Sequence, residues 1–151
     1  MSQQGAFWPL ATLMFAAGLG IPVLAALNSD LGRQLGSPVV ATWVTFMVGL
    51  VLATGMLLAT GLPVMERFTF ERPQIYFGVV FMLFYILSIT WAAPRIGLGN
   101  AIFFVLIGQL IAAAAIDHFG WLGAIQSALT PKRLLGIAVM ALGLYLARKP
   151  V

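Results

Sequence analysis

Long uncharged apolar segments alternate with short charged segments along the 151 residues of the chain. There are five apolar segments, at about residues 7–28, 38–61, 73–93, 98–117 and 132–147. A helix rises 1.5 Å per residue, so about 20 residues cross the roughly 30 Å hydrocarbon core of a bilayer. The pattern predicts an all-α, polytopic membrane protein whose single domain, residues 1–151, holds five transmembrane helices.

Proline positions predict where helices begin. Ser37-Pro38 and Thr130-Pro131 each place a hydroxyl side chain and then a proline at a helix start, which is a favoured combination. The connecting loops are predicted at residues 29–37, 62–72, 94–97 and 118–131. We expect the last of these to lie at the membrane surface because it contains Trp121 and Ile125.

Small residues mark a predicted break and a predicted contact. Gly18, Gly20 and Pro22 predict a kink or a locally unwound turn in the first span. Such breaks are tolerated where neighbouring helices or a cavity satisfy the freed carbonyls. Gly108 and Ala112 are spaced as a small-residue surface for close helix packing, which would serve as the dimer contact.

Composition excludes a soluble globule. Hydrophobic residues make up 62% of the chain and charged residues 8%, whereas soluble domains have about 25% charged residues. The net charge of +4 is small, and we expect Lys and Arg to anchor helix ends to lipid headgroups, not to bind nucleic acid. The opening MSQQGAF lacks the basic stretch of a signal peptide, so we expect no cleaved leader.

Lysine and arginine are divided equally between the two predicted membrane sides. Five spans place Arg67, Arg72, Lys132 and Arg133 on one side, and Arg33, Arg95, Arg148 and Lys149 on the other. An excess of these residues in short loops normally fixes orientation. The equal count predicts that the chain inserts both ways and pairs as an antiparallel, dual-topology dimer. Alternatively the balance is accidental, and the first helix or a paralogous subunit sets the orientation.

One amide, Gln109, lies near the centre of the fourth segment. A buried amide without a partner costs about 1–3 kcal/mol, so Gln109 must face protein or a water-filled cavity. One alternative is that Gln109 forms a hydrogen bond between helices, which contributes about 0.6 kcal/mol to stability. The other is that it binds substrate at the midplane, where transporter sites lie. The predicted substrate site combines it with Asn28, Trp43, Tyr85 and Asn100. For the aromatic residues of this set, helix packing is the alternative role.

Asp117 and His118 close the fourth segment. Histidine changes charge near neutral pH, so the two are candidates for proton coupling; the alternative is an ordinary pair that caps a helix at the interface. Arg95 would anchor to headgroups or meet an acidic group across the dimer.

One histidine and no cysteine leave no catalytic set and no metal-ligand cluster. We therefore expect neither an enzyme, nor a metal, nor a cofactor.

Two blocks of the sequence are similar to a known family. GIPVLAALNSDLGRQLGSPVVATWVTFMVG, at 20–49, and PRIGLGNAIFFVLIGQLIAAAAIDHFGWLG, at 94–123, resemble the signature blocks of the YdcZ family. The closing LTPKRLLGIAVMALGLYLAR resembles the family's last span. The family comprises small five-span inner-membrane proteins regarded as exporters of the drug/metabolite transporter superfamily. The resemblance implies antiparallel homodimers, paired heterodimers or fused repeats that imitate a ten-helix inverted-repeat transporter.

The resemblance also implies similarity to the small multidrug resistance proteins, which use a glutamate in the first span for protons and substrate. Residues 7–27 of this chain contain no acidic residue, so coupling by that route is not expected. We predict that the protein is a bacterial inner-membrane exporter of an unidentified small molecule. It would act by alternating access in the antiparallel dimer. The break in the first span and Gly108 would let the helices rock against each other. The alternative is a non-transporting subunit or scaffold that binds a partner membrane protein, for which no polar cavity is expected.

The charge balance predicts the outcome of a reporter fusion at the C-terminus. A reporter that works only in the cytosol and one that works only outside it should both be active, because copies of both orientations coexist. Removing two positive charges from one side by Lys132→Gln with Arg133→Gln leaves two against four and should silence one reporter. Activity of a single reporter in the unaltered chain would contradict dual topology.

Overall fold

The computed structural model describes the backbone of residues 3–61 and 73–147, and the side chains from residue 7 onward. Within these residues the α-helices are α1 (Gln3–Gln34), α2 (Pro38–Thr60), α3 (Gly78–Ile96), α4 (Leu98–Phe119) and α5 (Pro131–Ala147). Short 3₁₀ helices lie at Pro73–Phe77 and Trp121–Gly123. The chain divides into two compact units, Met1–Arg95 and Ile96–Val151. The predicted all-α class is confirmed.

Among the described residues, four helical segments are long and apolar enough to cross a membrane, namely Phe7–Gln34, Pro38–Thr60, Pro73–Ile96 and Leu98–Phe119. The helix α5 has 17 residues and therefore extends about 26 Å. That length is a few ångströms less than the hydrocarbon core of a typical bilayer. A fifth span therefore stays a prediction. The predicted charged connector 62–72 and the basic residues Arg148 and Lys149 lie outside the described residues.

Most large apolar side chains lie on the outside of the helices. The side chain of Phe81 is 76% exposed and that of Leu146 is 74% exposed. This arrangement suits a bilayer because lipid tails are as apolar as leucine, so burial of apolar surface does not drive helices together. Small residues in close contact and hydrogen bonds between helices must hold the fold instead.

Both predicted cap-and-proline helix starts are confirmed. The hydroxyl of Ser37 accepts a hydrogen bond from the backbone N–H of Val40 at 3.3 Å. The hydroxyl of Thr130 accepts one from the backbone N–H of Arg133 at 3.2 Å. In each case the helix begins at the proline that follows the capping residue.

The predicted loop at 29–37 is wrong in its first two-thirds. The helix α1 continues past Asn28 to Gln34. The carboxylate of Asp30 accepts hydrogen bonds from the side chains of Arg33 at 2.9 Å and Gln34 at 2.8 Å. Pairs three and four residues apart stabilise a helix, which explains why these polar residues extend α1. Only residues 35–37 connect it to α2.

The predicted turn at Pro94 and Arg95 is also wrong. The helix α3 continues through both residues to Ile96, and Gly97, with φ of 85°, is the connection that follows. Proline removes one backbone donor, a small loss in a last turn. The guanidinium of Arg95 donates to the carbonyl of Trp91 and lies 4.2 Å from the centroid of that ring, which supports the last turn.

The helix α1 is continuous through Gly18, Gly20 and Pro22. Of the two predicted forms of this break, a kink or an unwound turn, the unwound turn is therefore excluded. Pro22 lacks the backbone N–H that would donate to the carbonyl of Gly18. The helix continues on both sides of this missing hydrogen bond.

The helices of the first unit are in close contact at Gly32 of α1. A Cβ atom there would lie 2.9 Å from Cγ2 of Thr90 on α3 and 3.8 Å from Cβ of Ala41 on α2. Thr90 cannot rotate away freely, because its hydroxyl donates to the carbonyl of Ile86 at 2.7 Å. The contact therefore requires glycine at position 32.

We predict that Gly32→Ala destabilises the protein and that Gly49→Ala does not. The added methyl group at position 32 would overlap Thr90, and overpacking of this kind costs about 1–3 kcal/mol. At Gly49, in the middle of α2, no described atom lies within 4 Å of the added Cβ. Thermal unfolding in detergent measures both. Equal melting temperatures for the two variants would contradict the close contact of α1 with α3.

Candidate functional site

Asn28 joins the three helices of the first unit. Its side chain is 3% exposed. Its Nδ2 donates to the hydroxyl of Thr90 on α3 at 2.5 Å, and its Oδ1 accepts a hydrogen bond from the hydroxyl of Thr45 on α2. The buried residues around this centre are mostly small: Ala25, Ser29, Ala41, Thr42, Ile86, Ile89 and Ala93.

Donors and acceptors in this cluster fit one consistent arrangement. The hydroxyl of Thr90 donates its hydrogen to the carbonyl of Ile86, so it can only accept from Asn28. The amide nitrogen of Asn28 must therefore face Thr90, which leaves its oxygen for Thr45. The hydroxyl of Thr45 also lies 3.0 Å from the carbonyl of Ala41, but it has one hydrogen, which this arrangement gives to the amide oxygen of Asn28. Hydrogen bonds from one amide to two other helices in an apolar environment favour one packing of the three helices.

A cavity of about 400 Å³ lies beside this cluster, where α1 and α3 end and α2 begins. Its lining residues are Ser29, Gly32, Arg33, Gly36, Pro38, Thr90, Trp91, Pro94 and Arg95. The volume is within the roughly 300–1,000 Å³ typical of ligand sites. Thr90 belongs both to the lining and to the Asn28 cluster, so the same contacts that hold the helices also shape the cavity.

Two hydroxyl groups of the first unit are buried without a hydrogen-bond partner among the described residues. They are Oγ of Ser29 and the phenolic oxygen of Tyr85. Ser29 is 5% exposed and lines the cavity. Buried polar groups nearly always have partners in folded proteins, so these two oxygens indicate places where something further is bound or contacted.

The second unit has a cavity of a different kind. It has a volume of about 350 Å³ and lies between α4 and α5. Its lining residues are all apolar or glycine: Leu106, Leu110, Met140, Gly143 and Leu144. No polar group in it would orient a ligand, so the polar cavity of the first unit is the better candidate for recognition.

A family model described as "Putative inner membrane exporter, YdcZ" matches residues 9–146. The chain belongs to this family. The YdcZ-family chain is accordingly a multi-pass protein of the inner membrane, as the sequence predicted, and the family's description indicates a transporter and not an enzyme. No curated protein and no solved structure matches the chain.

The predicted substrate-binding residues of this YdcZ-family chain fall in both units. In the first unit, Asn28 is engaged between helices, Trp43 is 61% exposed on α2, and Tyr85 of α3 carries one of the two unpartnered hydroxyls. In the second unit, Asn100 is buried, and its Nδ2 donates to the carbonyl of Ile96 at 3.0 Å. Whether the five act together stays a prediction.

Gln109 is exposed in the middle of α4 and makes no hydrogen bond to a described residue. Its neighbours Gly108 and Ala112 are exposed as well. A Cβ atom added at Gly108, or at Gly18 and Gly20 of α1, would meet no described atom within 4 Å. The predicted small-residue contacts are therefore not made within the described part of one chain.

Asp117 and His118 hold the connector between α4 and α5. The carboxylate of Asp117 forms an ion pair with Arg133. Nδ1 of His118 accepts a hydrogen bond from the backbone N–H of Leu129 at 3.1 Å, and the backbone carbonyl of Asp117 accepts one from Ser127 at 2.8 Å. These contacts give both residues a structural role. Proton coupling through them stays a prediction.

Sequence reasoning missed Ser29, Gly32 and Thr90, which lie at the centre of the cavity and its supporting contacts. The first two fell within the predicted loop at 29–37. A signal was present, because Ala25, Ser29 and Gly32 are small residues three and four positions apart, which place one narrow face along a helix. Thr90 carried no signal, because its importance comes from contacts with residues far away in the sequence.

Proposed function

We propose that the protein exports a small molecule by alternating access as an antiparallel homodimer. Membership of an exporter family over residues 9–146 supports the transport function. The equal division of Lys and Arg between the predicted membrane sides supports the dual topology, because no charge excess fixes one orientation. Two inverted copies would form the inverted repeat on which many transporters are built.

The observation that carries the dimer is the exposure of Gln109. An amide in contact with lipid loses hydrogen bonds to water without gaining others, at a cost of about 1–3 kcal/mol. Gln109 has no partner among the described residues, so we infer that a second copy or a shared water-filled cavity supplies one. The adjacent Gly108 and Ala112 would let two α4 helices approach closely there.

In such a dimer the two Gln109 side chains meet near the midplane, where transporter sites lie. We propose that Tyr85 and Asn100 join them in the substrate site, with Trp43 as an aromatic wall. Asn28 would contribute by fixing the helices that carry these residues, since both ends of its amide are already engaged. Coupling to protons, if it involves Asp117 and His118, would have to release the contacts that both now make.

A non-transporting scaffold is the second candidate function. It would use the same exposed small residues to bind a different membrane protein. The polar cavity of about 400 Å³ in the first unit favours the exporter, since a subunit that only binds another protein needs no such cavity.

We predict that Gln109→Leu abolishes transport and leaves the dimer intact. The substitution removes the amide at the midplane and adds an apolar side chain that suits the helix contact. Transport is measured as uptake into proteoliposomes of a solute that raises the melting temperature in a screen of cations, anions and neutral metabolites. The dimer is measured by size and light scattering in detergent.

Two matched variants complete this test. Gln109→Asn keeps an amide and should retain part of the uptake, while Ile111→Leu, on the opposite side of α4, should retain all of it. Full uptake by Gln109→Leu would remove Gln109 from the site. A stable dimer that neither binds nor transports any solute of the screen would favour the scaffold.

A further inference from the structure

The polar cavity of the first unit is lined by two positive charges. Arg33 and Arg95 are the charged residues of its lining, and no carboxylate lines it. Each arginine lies in the last turn of its helix, where the exposed carbonyl groups favour a cation. That preference explains the charge at each helix end, but not the buried, unpartnered hydroxyl of Ser29 in the same cavity.

Most donors of the two guanidinium groups make no hydrogen bond to a described residue. A guanidinium has five N–H donors. Arg33 uses Nη2 for the carboxylate of Asp30 at 2.9 Å, and Arg95 uses Nη1 for the carbonyl of Trp91. Arg95 forms no ion pair with any residue that the structure describes. Its face lies over the ring of Trp91, with Cζ 4.2 Å from the ring centroid, so the planar fork is held in place.

Ser29 adds an unpartnered hydroxyl to the lining of this cavity. The residue is 5% exposed, and its Oγ has no partner among the described residues. Its neighbour Asn28 is fixed between α2 and α3, so the position of Ser29 on α1 is fixed as well. A change of the Ser29 rotamer that turns this hydroxyl toward the cavity would satisfy it once an acceptor atom is bound there.

We propose that this cavity binds an anionic group, a carboxylate or a phosphate, between the two arginines and Ser29. Planar guanidinium forks match the paired oxygens of both groups, and the hydroxyl donates to a third oxygen or to one of the pair. The source is either a soluble organic anion or the headgroup of an anionic lipid. If it is soluble, it defines the class of the exported substrate, and in that respect the inference rests on the proposed function.

The antiparallel dimer gives this site a place in transport. The cavity lies at one end of its unit, so two inverted copies present one cavity at each membrane surface. Two arginines at each membrane surface would attract anions to the cavity there and repel cations from it.

The test measures melting temperatures of the purified full-length protein in detergent. Sodium phosphate and disodium succinate are compared with sodium chloride at the same ionic strength. In a second arm, nanodiscs containing phosphatidylglycerol are compared with phosphatidylcholine nanodiscs. We expect the oxyanions or the anionic lipid to raise the melting temperature by about 2–4 °C at saturating concentration. A shift with the oxyanions identifies a soluble anion, and a shift with phosphatidylglycerol alone identifies a lipid.

Variants of the lining should reduce that shift. Arg95→Gln should abolish it, Arg95→Lys should retain part of it, and Arg33→Gln should weaken it. Ser29→Ala removes an unsatisfied buried hydroxyl, so it should melt at the same or a higher temperature without ligand and still show a smaller shift. Lys132→Gln, which removes a charge outside the cavity, should keep the full shift.

Two results would overturn the proposal. One is a melting temperature that neither oxyanion raises above that in sodium chloride and that phosphatidylglycerol does not raise above that in phosphatidylcholine. The other is a full shift in both Arg95→Gln and Ser29→Ala. Neither result bears on export, because binding in detergent requires no transport. Conversely, a protein that binds phosphate or succinate through Arg95 but moves no solute into proteoliposomes would retain this site and contradict the exporter.

Discussion

Every polar group inside the hydrocarbon core must find a partner in protein or in enclosed water, because lipid offers none. This constraint orders the described structure. Asn28 meets it within one chain: both ends of its amide are bonded, to Thr90 and to Thr45, on different helices. Gln109 does not meet it within the described residues, and neither does the hydroxyl of Ser29. The first residue explains the fold, and the other two indicate function.

The two units respond to the constraint differently. The first unit builds a closed polar cluster around Asn28 and packs three helices at Gly32. The second unit carries the amide of Gln109 on the outside of α4, beside the exposed small residues Gly108 and Ala112. A surface of that kind is stable in a membrane only when another protein surface or water covers it. We propose that a second, inverted copy of the same chain is this cover, because Lys and Arg are divided equally between the predicted membrane sides.

The sequence sufficed for features that depend on local chemistry. Helix starts at Pro38 and Pro131 followed from capping rules, and the apolar runs gave four helices long enough to span. It failed where local and tertiary effects compete. Polar residues 29–34 resembled a loop, but side-chain bonds around Asp30 extend α1 through them. The cavity includes Ser29, whose spacing with Ala25 and Gly32 was a signal inside the segment interpreted as a loop. It also includes Thr90, whose contacts with Asn28 and Gly32 join distant helices, so no pattern within one segment could predict its role.

In the proposed dimer, two copies of α4 run in opposite directions and meet at Gln109. Because the chain has no cysteine, single-cysteine variants test it directly in membranes. Chains with Val105→Cys and Ala113→Cys, each with its own tag, are co-expressed and oxidised. A disulfide needs Cα atoms within roughly 7 Å. The antiparallel arrangement predicts that Cys at 105 links to Cys at 113 of the other copy, with little 105–105 or 113–113 product. Links only between identical positions would show a parallel pair and contradict the account.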